Sequence, residues 1–178
     1  ISSYNPDTRR MASFITEFEQ QILASGIPCD IYIETLESKG IADAALWMSL
    51  IDNMITRYEN RSLRAIVLLG QEAWASFVSL GRIPEGVMCF SGFASSNGVM
   101  LPPPPDSLQT WKPRSVEYQG MTDSLKAVGG MLNRYNIRRN VELIRSLYPQ
   151  VENIALITDN TYGGISLQAL VREEWKNY

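Results

Sequence analysis

Histidine is missing altogether from the 178 residues. Its absence removes the Ser-His-Asp and Cys-His nucleophile arrangements together with the usual imidazole-rich zinc sites. Conventional hydrolase chemistry is therefore disfavoured. Cysteine is nearly as scarce: Cys29 and Cys89 each lie in or beside an apolar run and read as small buried hydrophobes rather than as a disulfide or redox pair. Basic charge is not concentrated anywhere. The 16 Lys and Arg are scattered against 19 Asp and Glu, for a net charge of -3, so no nucleic-acid partner is expected. No window approaches the roughly 18 consecutive apolar residues of a membrane span, and residues 1–20 lack the order of a signal peptide.

What is present is a 45% hydrophobic chain with an α/β rhythm, long enough to bury a core as one domain or two small lobes. A short strand precedes "NPDTRR", where Asn5 can cap a helix and Pro6 suits its first position; Met11, Phe14, Ile15, Phe18, Ile22 and Leu23 then form an apolar stripe. "IPCDIYIETLES" reads as a strand. A second helix carries Ile41, Ala45, Met48, Ile51, Ile55 and Tyr58, followed by the buried-strand run "LRAIVLLG". "QEAWASFVSLG" is a helix closed by Gly81, and "GVMCFSG" a further strand. This alternation predicts a doubly wound parallel-sheet lobe of Rossmann type with right-handed crossovers.

The rhythm breaks between Ala94 and Gly130, where four consecutive prolines suggest a stiff connection. It resumes with a helix capped by Asn136 that carries Ile137, Val141, Ile144 and Leu147 and stops at Pro149. The strand "NIALITD", the turn "NTYGG" and a last helix bearing Leu167, Leu170, Val171 and Trp175 follow. The division expected is an N-terminal α/β lobe with its connection over 1–120 and an incomplete second α/β lobe over 121–178, with "SVEYQ" or "AVGGML" as its other strand. So thin a sheet exposes an edge or borrows a partner, which leaves room for a homodimer.

Ligands bind beyond the carboxyl ends of parallel strands, where loops leave the core and helix N-termini present unpaired N–H groups. The ends legible here are Ser2–Asn5, Gly70–Glu72, Ser91–Phe93 and Asp159–Gly164. Ser3, Tyr4, Asn5, Gly70, Gln71, Ser91, Gly92, Asp159, Asn160, Thr161 and Tyr162 are the candidate ligand-binding residues. For most of them capping and turn formation is the competing reading. Tyr162, next to two glycines, suits contact with a ring or a sugar. "GQEAWASF" lacks the Gly-Lys-Ser/Thr end of a phosphate loop, and no dinucleotide spacing occurs. Asp30, Glu34 and Glu37 are not read as a metal cluster. No catalytic residue, metal or cofactor is assigned.

The ordered segments "ISSYNPD", "VLLGQEAWASF", "IPEGVMCFSGF" and "AVGGMLNRYNIRRNVELIRSLYPQVENIALITDNTYGG" resemble the type I periplasmic-binding-protein fold. They look closest to the ABC-transporter substrate-binding-like sensory domains of bacterial membrane histidine kinases. The corresponding residues are Ser2, Ser3 and Tyr4; Gly130, Asn140, Leu143 and Pro149; and Asp159, Asn160, Thr161 and Gly164. The histidine of the family's first turn is replaced or lost here. That resemblance implies two hinged lobes closing on a small molecule, in a periplasmic or extracellular domain of a two-component sensor whose parent chain is anchored in the cell membrane. It also implies that further residues complete the second lobe. A substrate-binding component of an ABC transporter shares the fold and is the alternative. An enzyme or a purely structural interaction domain are the readings from other classes. The ligand is expected between the lobes, with Tyr4 on one jaw and Tyr162 on the other.

Overall fold

The structure, a computed structural model, describes residues 1–5, 7–38, 40–102, 111–122 and 128–177. The expected helical start at Pro6 and most of the proline run lie outside the described residues. At the centre is a parallel sheet of β1 (Ala65–Leu69), β2 (Met88–Ser95) and β5 (Val128–Asn133), in that spatial order. Ser2 adds single parallel bridges to Leu69 on one side and Thr35 on the other. Backbone bonds fix this edge: Ser3 N–H donates to Leu69 O at 2.8 Å, and Leu36 N–H to Ser2 O at 2.8 Å.

Helices flank the sheet. α1 (Arg9–Ala24) starts after Thr8 rather than at Asn5, because the Asn5 carboxamide oxygen accepts from Asp7 N–H in a local turn of its own. Of its apolar stripe only Met11 is buried. α2 (Ala44–Glu59) and α3 (Gln71–Leu80) carry the main core, with Trp47, Ile51, Trp74 and Phe77 all at or below 1% exposure. An aliphatic side chain so enclosed contributes roughly 1.5–3 kcal/mol relative to exposure. Gly81 closes α3 in the left-handed conformation, as its position after the apolar period implies.

The stretch after β2 departs from expectation. β3 (Asn97–Val99) pairs antiparallel with β4 (Ser115–Glu117), the "SVEYQ" segment, which runs into the short helix α4 (Tyr118–Thr122). "AVGGML" is a strand, β5, but it joins the first sheet through β2 instead of founding a second one. Among the described residues of 121–178 there is no separate sheet. α5 (Ile137–Leu147) is capped as predicted, with Arg139 N–H donating to the Asn136 side chain at 3.0 Å, yet it buries no residue. "NIALITD" is not a paired strand: 151–159 carries no ladder, and Ile157 is 93% exposed. Likewise "IPCDIYIETLES" pairs only around Thr35, leaving Ile31, Tyr32 and Ile33 exposed. An apolar alternation specifies a strand only where a neighbour supplies the other half of each ladder.

α6 (Tyr162–Glu174) begins earlier than expected, since Thr161 Oγ1 caps it by accepting from Gly164 N–H at 3.2 Å. "TYGG" is thus a cap and first helical turn. The helix packs against β3, β4 and α3, not against a sheet of its own.

Candidate functional site

The carboxyl ends of the parallel segments come together at one edge of the sheet. Ser3 leaves the Ser2 bridge and turns its hydroxyl to the start of α3, where Oγ accepts from Ala73 N–H at 2.8 Å. A side chain from one strand end therefore caps the helix that follows another. Gly70, between β1 and α3, makes this possible. It sits at φ 102°, and a Cβ there would lie 2.6 Å from Ser3 Oγ and 2.8 Å from Tyr4 Cε2. Gly70 N–H in turn donates to Gly92 O at 2.9 Å, which ties the third end, that of β2, to the same place.

At Gly92 and Phe93 the β2–β5 register shifts between Ser91 and Ala94. Phe93 takes φ 58°, in the left-handed region that bulky side chains avoid. Such strain persists only where surroundings impose it, and a bulge of this kind re-aims a side chain. The ring lies 42% exposed and meets Phe14 of α1 edge-on, with centroids 5.4 Å apart. Arg10, four residues earlier on α1, stands over the same ring with its guanidinium carbon 5.7 Å from the centroid. Tyr4, also 42% exposed, is a further aromatic of the rim. Burial raises its pKa first, then the charges of Glu72 and Tyr135, against an opposing effect of Arg10. Glu72 in the first turn of α3 also has a raised pKa, chiefly through burial, and its Oε2 is enclosed without a hydrogen-bond partner.

Beneath this rim polar groups continue into the core. Gln71 is 7% exposed; its Oε1 accepts from Ser95 N–H, while Nε2 has no partner. Ser91, also buried, has an unpartnered Oγ. Below lie Tyr118 and Tyr162, whose hydroxyls contact each other and both donate to Val99 O, at 2.7 and 2.6 Å. Val99 N–H donates to the Tyr162 hydroxyl at 3.0 Å. Gly98 leaves the room for this cluster, since a Cβ there would come within 2.8 Å of the Tyr118 hydroxyl, 2.9 Å of that of Tyr162 and 3.1 Å of Gln71 Nε2.

The sequence-derived candidates thus divide. Ser3, Tyr4, Gly70, Gln71, Ser91 and Gly92 converge at the sheet edge, and Asn5 flanks them in its turn. Asp159, Asn160 and Thr161 do not join them by any hydrogen bond among the described residues. Asp159 Oδ1 accepts from Thr161 Oγ1 at 2.6 Å and Thr161 N–H at 3.1 Å, which lowers the Asp159 pKa and organises the start of α6. Tyr162 is a correction: it is fully buried with its hydroxyl engaged on Val99, so it offers no face to a gap shared with Tyr4. Helix α6 starts at Tyr162 itself, and its first turn faces β3. Arg10 and Phe14 were missed, because a helical stripe assigns Phe14 to core and Arg10 to solvent unless the position of Phe93 is known.

A separate hollow of about 620 Å³ lies between α5 and residues 151–154, lined by Ile137, Val141, Ile154 and Trp175 with Arg145 and Glu152 at its polar side. It is the uncovered face of the unpaired segment rather than a continuation of the rim. No group of three or more metal-ligating side chains occurs among the described residues, nor any helix long and apolar enough to cross a membrane. The chain matches no family model, no curated protein and no solved structure.

Proposed function

We propose that this chain is a ligand-sensing domain, the extracytoplasmic part of a membrane-anchored sensor histidine kinase, and that a small molecule binds at the Ser3–Tyr4, Gly70–Gln71 and Ser91–Phe93 strand ends. The observation carrying the reading is Phe93, held at φ 58° by a register shift so that its ring emerges where three strand ends meet. Strain retained at an exposed aromatic position needs a use, and a ligand platform is one.

The segment order supports a doubly wound lobe of the type I periplasmic-binding-protein kind. Ser2 lies between Thr35 and β1, so chain order reverses direction across the sheet at the Ser2–Leu69 bridge. A doubly wound lobe has such a reversal at its topological switch point, where open α/β sheets receive ligands. Residues 137–159 would belong to a second lobe, whose α5 and apolar segment 153–157 stand ready for strands that cover them. Ligand contact with both lobes would then bias closure, and closure would be the signal. A transporter component would bind in the same way and differ in its flanking segments.

The test is a thermal-shift screen of small metabolites against the parent receptor's whole extracytoplasmic region. A ligand that binds only the folded state raises the melting temperature by linkage. The reading predicts such a ligand and its loss on Tyr4→Ala; hits insensitive to Tyr4, Gly70 and Phe93 substitutions would refute the site.

A further inference from the structure

The guanidinium of Arg10 lies over a ring whose own backbone is strained to put it there. Arg10 and Phe14 share a face of α1, four residues apart, and both engage Phe93. If Phe93 relaxed to ordinary strand geometry, its side chain would turn elsewhere and neither contact would survive. The strain therefore has a definite product, a guanidinium placed over an aromatic ring at the ligand rim. Contact with a ring takes up none of the guanidinium's hydrogen-bonding capacity for an acceptor, so its N–H donors stay available to another group. Among the described residues nothing takes them, since Arg10 forms no hydrogen bond and no ion pair there.

The rest of the rim limits what those donors can receive. Glu72 stands near Tyr4 and is enclosed, so a second negative charge on the ligand would meet it unfavourably. The Arg10 cation, with an enclosed carboxyl group near the same tyrosine, matches a monoanion better than a phosphate dianion. The Tyr4 ring beside them supplies apolar area for a carbon skeleton.

We propose that Arg10 is the anion receptor of this rim and that the ligand is a small organic carboxylate, held by two N–H donors of the guanidinium with its carbon skeleton against Tyr4. This rests on the ligand-rim reading above and adds the chemical class. The planar fork of arginine suits a carboxylate in a way an ammonium does not.

The experiment uses a library of metabolite carboxylates, each paired with its own amide or alcohol, for example glutamate with glutamine, benzoate with benzamide and glucuronate with glucose. Binding is followed by calorimetric titration and amide chemical-shift mapping. The expected result is an acid that binds at least about tenfold tighter than its neutral partner, with affinity falling as salt is raised. Arg10→Met should abolish that binding. Arg10→Lys should weaken it about tenfold, and Phe93→Ala should weaken it without lowering the melting temperature. Neutral partners that bind equally well, shift Tyr4, Gly70 and Phe93, and ignore Arg10→Met would overturn the carboxylate assignment while the ligand rim stands. No binding by any library member would overturn both. A phosphate monoester that outbinds every carboxylate at the same residues would overturn the class alone.

Discussion

Tyr118 and Tyr162, 44 positions apart, meet hydroxyl to hydroxyl over the backbone of Val99 and join the first turn of α6 to β3 and α4. Both rings are fully buried, so the contact is part of the core and not of a cleft. Tyr162→Phe leaves the Val99 N–H without its acceptor, which costs roughly 1–3 kcal/mol. Tyr162→Ala adds a cavity and should cost about 3–5 kcal/mol. Urea unfolding of the two variants checks the order, and a Tyr162→Ala protein as stable as wild type would contradict it.

Alkaline pH should unfold the protein through the same pair. Burial raises both tyrosine pKa values above their unfolded value of 10.0. The folded state therefore keeps protons that the unfolded state releases, and stability from the pair is intact below pH 10 and falls as pH rises beyond it. Absorbance of ionised tyrosine at high pH should appear for Tyr118 and Tyr162 only together with loss of circular dichroism. Ionisation of all eight tyrosines before unfolding would disprove this.

Glu72 works the same way in acid. Its folded pKa is raised above 4.5 by burial, so its contribution is full below that value and declines as pH climbs through it. Glu72→Gln should raise the melting temperature at pH 7 and leave it little changed at pH 4. A fall at pH 7 would show that the ionised carboxylate is needed.

The two cysteines should differ in reactivity. Cys29 is exposed, against the expectation that both are buried, because its segment pairs only around Thr35; Cys89 is buried in β2 with its thiol pushed up to about 12 by desolvation. A thiol reagent should modify one cysteine quickly and the second only in denaturant; equal rates in the folded protein would contradict the packing of β2.

Gly70→Ala tests the junction of strand ends. The new methyl would press on Ser3 and Tyr4 at a φ of 102°, so a loss of about 1–3 kcal/mol is expected, together with loss of ligand. An unchanged melting temperature would mean that Ser3 does not cap α3 as described.

Much of the first sheet was legible because pattern and punctuation agreed. The run Ala65–Leu69 is apolar throughout, Gly70 ends it, and Gly81 closes the helix that follows. The sequence marks β5 as a strand but not its sheet, since nothing in "AVGGML" states that its neighbour is β2. The alternation in "NIALITD" predicts a strand, but pairing depends on neighbours that the segment does not encode, and Ile157 remains in solvent. The site divides for a similar reason. Gly70 and Gln71 follow from their place after a strand, while Tyr162 goes into the core because a Thr161 cap moves the helix start back over the glycines. Arg10 could not be found, as its meaning depends on Phe93 being displaced by a register shift that no local pattern announces.

Backbone amide chemical-shift mapping of this chain during titration with small metabolites shows where a ligand sits. The strand-end site requires shifts grouped at Tyr4, Gly70, Gln71 and Phe93, saturating together with one affinity. Shifts confined to α5 and residues 151–154, with none at those strand ends, would contradict it.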